Sequence, residues 1–211
     1  MALVVLVAPT VRAQPGGIPV PVDTAGLAQG SRPLMSMRLE KTLFKVDVLT
    51  LELRFGPSSS AALRSIGSRQ ARPEALYESV ARVAITATDV WARVRFLRDI
   101  SLRQFLDAAR ESLRGAHEAG LIDGRAFASI SDGLPLWYAF LEERRVLRGD
   151  EMHYRIRGDS LRTVYVGHDG RVLLDQLDVG PERRLSVLGG YFAAGSDFRR
   201  PLIRSLLFGA R

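Results

Sequence analysis

Apolar and polar positions change their period several times along this chain, and each change marks an element. Val90, Ala92, Val94 and Phe96 alternate with Arg93 and Arg95, the period-two pattern of a strand with one buried face. Leu102, Phe105, Leu106, Ala109 and Leu113 then recur at helical spacing, behind a capping box formed by Ser101 and Gln104. A strand over 90–97 therefore leads into an amphipathic helix over 101–114.

A strand is also predicted over 42–55, but its apolar phase is broken. Phe44, Val46 and Val48 are followed by Leu49, Leu51, Leu53 and Phe55, so the phase flips between Val48 and Leu49. A flip implies a bulge or bend, or a long strand buried on opposite faces at its two ends. Further strands are predicted over 152–157, 163–168 and 172–175, the last two joined by the hairpin signal Asp169-Gly170. Helices are expected over 59–66, from Pro73 through Ala81, from an Asp123 cap to Ser131, and from Pro135 through Glu142. Two more run from Pro181, behind Asp178 and Gly180, to about Phe192, and over 200–208. The resulting fold class is α+β, a mainly antiparallel sheet covered on one face by helices containing Phe105, Trp137 and Leu188.

Composition adds limits. The 211 residues fit one domain with enough mass for a core, and the absence of cysteine excludes disulfides and thiolate chemistry. The net charge of +7 comes almost entirely from arginine, Lys41 and Lys45 being the lysines. These arginines are interspersed with Asp and Glu and form no basic run, so a solvated surface is favoured over nucleic-acid binding.

The N-terminus is organised differently. Ala2 to Ala8 is an apolar run too short for a stable membrane span, and Val11-Arg12-Ala13 follows with small or modest residues where a signal peptidase reads. Residues 1–13 are therefore expected to be the remnant of a secretory signal, 14–33 a Pro/Gly-rich connector and 34–211 the folded domain, with a periplasmic or secreted mature protein. The competing reading is a short buried strand ending at Pro9.

Catalytic signatures are sparse. His117, His153 and His168 lack metal-ligand spacing, no GxSxG, GxGxxG or P-loop occurs, and the adjacent Asp150 and Glu151 point to opposite faces of a strand. No cofactor and no metal are expected.

In order, TLFKVDVLTLEL (42–53), the strand-to-helix unit with Arg98-Asp99 at its junction, RGDEMHYRI (148–156), VYVGHDGRVL (164–173) and RRPLIRSLLFG (199–209) resemble the chalcone isomerase-like family over roughly 34–209. The resemblance implies that family's fold and lets its catalytic positions be compared one by one. The family's tyrosine falls on Phe105, its asparagine on Ser112, its threonine on Asp47, and its arginine on or near Met35, with Arg38 the nearest replacement. Each lost donor costs roughly 3 kcal/mol of oxyanion stabilisation, so these departures remove the ring-closing chemistry.

The resemblance then implies a non-catalytic protein that binds a fatty acid or similar apolar molecule in a cleft between the sheet and the first long helix. Phe105, Ala109 and Ser112 would line that cleft, and Arg38, Arg93 or Arg95 would pair with a carboxylate. The alternative is an isomerase or intramolecular lyase with relocated residues, and a simpler reading has Phe105 filling the core.

Overall fold

The alternating segments pair into a single sheet whose spatial order follows the chain. In the computed structural model, which describes residues 34–40, 47–68 and 72–208, six strands pair antiparallel, each with the next. They are β1 (Met35–Glu40), β2 (Asp47–Phe55), β3 (Asp89–Phe96), β4 (Glu151–Arg157), β5 (Ser160–Val166) and β6 (Val172–Val179). Helices α1 (Pro57–Gly67) and α2 (Pro73–Thr86) connect β2 to β3. Helices α3 (Leu102–Glu118), α4 (Gly124–Trp137) and α5 (Leu141–Arg144) connect β3 to β4, and α6 (Pro181–Phe192) and α7 (Arg199–Phe208) follow β6.

One face of the sheet carries the core. Met35, Met37, Leu51, Leu53, Val90, Ala92, Val94, Phe96, Met152, Ile156 and Tyr165 point to the helix layer, where Phe105 and Leu188 join them. Trp137 bridges this core and a smaller cluster formed by Leu113, Ala116, Ile122 and Ile130. The opposite face carries ion pairs, Arg93 with Glu52 and Arg162 with Asp175 among them.

Several elements differ from their sequence expectation. The predicted 42–55 strand begins at Asp47, and part of it, with residues 1–33, lies outside the described residues. The flip after Val48 is a bulge: Leu39 faces Leu49 and Glu40 faces Asp47, leaving Val48 as the extra residue. β1 was not anticipated, because Met35, Met37 and Leu39 alternate over too short a run. Helices expected over 123–131 and 135–142 are instead α4 and the short α5. Pro135 falls in the last turn of α4, and the helix ends two residues beyond it. β6 runs to Val179, past the expected 175, because it is an edge strand whose outward residues Leu177 and Val179 stay exposed, at 65% and 72%.

The two edges of the sheet differ. At β1 the Ser36 N–H donates to Ser205 Oγ of α7 at 2.9 Å, so a helix closes that edge. β6 has β5 as its strand neighbour, and among the described residues no strand lies beyond it.

Candidate functional site

Helix α3 positions the predicted lining. Ser101 caps it, accepting from the Gln104 N–H at 3.2 Å while Gln104 Oε1 accepts from the Ser101 N–H at 3.0 Å. The junction before it is tied by Asp99, whose Oδ1 accepts from the Arg148 N–H at 2.7 Å. Phe105, held in this way, is buried against the sheet, with its ring edge-on to Tyr138 at 4.7 Å and to Phe96 at 6.2 Å.

Ala109 packs at the margin of the same core. Ser112, two turns on from Phe105, meets α6. A Cβ added at Gly190 would sit 2.6 Å from Ser112 Oγ, and one at Gly189 would sit 2.7 Å from the Ala116 Cβ. Glycine at both positions lets the two helices touch, and that contact closes the space beside Ser112.

Phe105, Ala109 and Ser112 thus share one helix, but the arginines do not join them. Arg38 faces Thr50 and Arg95 faces both Thr50 and Glu151, at positions one residue out of phase with the core-facing Met37 and Phe96. Both therefore stand on the outer face of the sheet, as does Arg93, which pairs with Glu52 at 2.9 Å. Arg95 Nε lies 4.0 Å from Glu151. The period-two geometry of a strand separates these side chains from Phe105 by the thickness of the sheet.

The core side of the sheet instead gathers three tyrosines, from α4's C-cap, β4 and α6. Tyr138 and Tyr154 direct their hydroxyls to Met152 Sδ at 3.7 and 3.8 Å, and Tyr191 lies beside them. Burial raises all three phenol pKa values, so each hydroxyl stays neutral and able both to donate and to accept. The Tyr138 and Tyr154 hydroxyls also bond to each other, so the group forms a small polar cluster inside an apolar interior. This cluster was missed in the sequence. Its one signal there is that Met152 and Tyr154 share a strand face; the partners at 138 and 191 come from helices distant in the chain.

Next to the tyrosines lies a fully buried carboxylate. Asp150 accepts from Arg144 Nη1 and Nη2 at 2.6 and 2.7 Å, from the Leu147 N–H at 2.9 Å, from the His168 N–H at 2.8 Å and from the Tyr165 hydroxyl at 2.8 Å. Burial alone would raise its pKa, but these donors hold it at about 2. Such a group is an anchor for α5, β4 and β5, with no lone pair left for a substrate.

An open cleft of about 430 Å³ lies elsewhere, between the α3–α4 turn, α4 and the start of α6. Its floor is Ile122, Ile130 and Leu185, and its rim carries both signs, Asp123 and Glu182 beside Arg125 and Arg183, so it offers no single-signed anchor. Among the described residues no group of three or more histidines and carboxylates is placed to hold a metal, and no helix is long and apolar enough to cross a membrane.

Comparison with solved structures shows a likeness of fold. The architecture is similar to the crystal structure of the Arabidopsis thaliana fatty-acid binding protein AtFAP1, with a TM-score of 0.51 over 84% of this chain and 90% of that one. The fold is chalcone isomerase-like. Sequence identity to AtFAP1 is 15%, so the likeness is one of fold. No family model and no curated protein sequence matches the chain.

Proposed function

We propose that this chalcone isomerase-like protein is a non-catalytic binder of an apolar small molecule, taken up between the sheet and α3. The observation that carries the reading is the convergence of the Tyr138, Tyr154 and Tyr191 hydroxyls on the core side of the sheet, beside Phe105. A few convergent polar groups inside an otherwise apolar interior are what orients the polar end of an apolar ligand. The likeness to a fatty-acid binding protein supports the same reading.

Phe105 is then the gate, since its ring stands between α3 and Tyr138 where an acyl chain would lie. The chemistry argues against turnover. Phe105 has no hydroxyl, Ser112 is shut in by Gly190, and Met35 is buried where the family resemblance implies an arginine.

The test is native mass spectrometry of the full chain after incubation with a mixture of C12 amphiphiles. One amphiphile per chain is expected in the wild type, and Tyr154→Phe should weaken uptake about 5-fold, the equivalent of one hydrogen bond. Chalcone cyclisation above the uncatalysed rate, or no uptake of any amphiphile, refutes the reading.

A further inference from the structure

From β1 to β4, the strand residues on the core side of the sheet are neutral. Met35, Met37, Leu51, Leu53, Ala92 and Val94 occupy it across β1, β2 and β3, and β4 adds Met152 and Tyr154. The strand arginines Arg38, Arg54, Arg93, Arg95, Arg155 and Arg162 fall on the alternate positions, which face away.

Four half-buried arginines of the helix layer are committed elsewhere. Arg144 is forked onto Asp150, Arg183 lies over the Trp137 ring at 5.3 Å, Arg184 donates to the Ile85 carbonyl at 3.0 Å and Arg199 pairs with Glu78. None of these four is directed to the tyrosine cluster. The phenols carry the same imprint: burial raises Tyr154 and Tyr191, and the neighbours acting on them are other tyrosines.

A carboxylate moved into such surroundings would lose its hydration without gaining a counter-charge, a cost far greater than hydrogen bonds from two or three phenols return. A hydroxyl or amide meets no such penalty. It can exchange hydrogen bonds with a phenol while carrying no charge.

Resting on the binding reading above, we propose that the ligand is an apolar chain with an uncharged polar end, a primary alcohol, aldehyde, amide or ester, and that the ionised fatty acid is selected against. Met35 carries this discrimination. It is 1% exposed on the core side of β1, so no cation can enter there from that strand.

The experiment sets 1-dodecanol against lauric acid, the same chain with two headgroups, on the full chain by native mass spectrometry at pH 8 and at pH 5. At pH 8 the alcohol should be retained at least 10-fold over the acid. The acid should gain as pH falls toward 5, where a growing fraction of it is protonated. Arg38→Ala, on the opposite face, should leave the alcohol-to-acid ratio unchanged.

Lauric acid bound as well as the alcohol at pH 8, or an Arg38→Ala variant that selectively loses the acid, overturns the uncharged headgroup while leaving the binding reading intact. Uptake of neither probe overturns both.

Discussion

Replacing Asp150 with asparagine keeps the shape of the most densely bonded side chain in the molecule and removes its charge. The folded pKa of about 2 lies below the ordinary 3.8, and a difference of nearly two units corresponds to about 2 kcal/mol of stability from this carboxylate at neutral pH. Because the folded value is the lower one, the stabilisation is complete above about pH 4 and is lost as pH falls toward 2. Asparagine also turns an amide N–H₂ toward a donor and leaves the Arg144 guanidinium, 23% exposed, without its anion. Together these should lower stability at pH 7 by about 2 to 4 kcal/mol, the range for removing one partner of a largely buried, hydrogen-bonded pair. Urea unfolding followed by circular dichroism at pH 7, 5, 3.5 and 2.5 would measure it. The gap between wild type and Asp150→Asn should narrow across the last two points. Equal stability at pH 7, or a gap that stays constant to pH 2.5, would refute the assignment of Asp150 as a charged anchor.

Three further outcomes are expected. Gly189→Ala should destabilise by about 1 to 3 kcal/mol, since its new Cβ would meet the Ala116 Cβ at 2.7 Å, and pairing it with Ala116→Gly should recover part of that loss in thermal unfolding. Ser205→Ala removes the acceptor of the Ser36 N–H and should cost about 1 kcal/mol, visible as faster hydrogen exchange at Ser36 than at the core amides of β2. An exported chain should begin at Gln14, and intact-mass measurement would expose any other cleavage point.

Local pattern made most of the architecture legible. Alternation places β3, β4 and β5, the Ser101–Gln104 capping box fixes the start of α3, and the phase flip at Val48 implies either a bulge or bend or a change of buried face, of which the pairing register shows the bulge. What local pattern does not encode is how a side chain is used once strands pair. The family resemblance and charge point to Arg38 and Arg95 as ligands, whereas strand parity puts them across the sheet from Phe105. The tyrosine cluster was hidden for the converse reason: its members sit at 138, 154 and 191, and only the stacking of α4, β4 and α6 brings them together. Pro135 read as a helix start because Pro favours first turns, and the preceding turns of α4 overrode that preference.

The unequal edges of the sheet give the molecule a direction. Growth by strand addition is blocked at β1, where α7 supplies Ser205 to the backbone, so any template-directed assembly of partly unfolded chains must start from β6. That strand presents Leu177 and Val179 outward, with Asp175 on the same face as their gatekeeper. Aggregation should therefore depend on this acid more than on overall stability, and neutralising it would expose a hazard that the folded state by itself does not reveal.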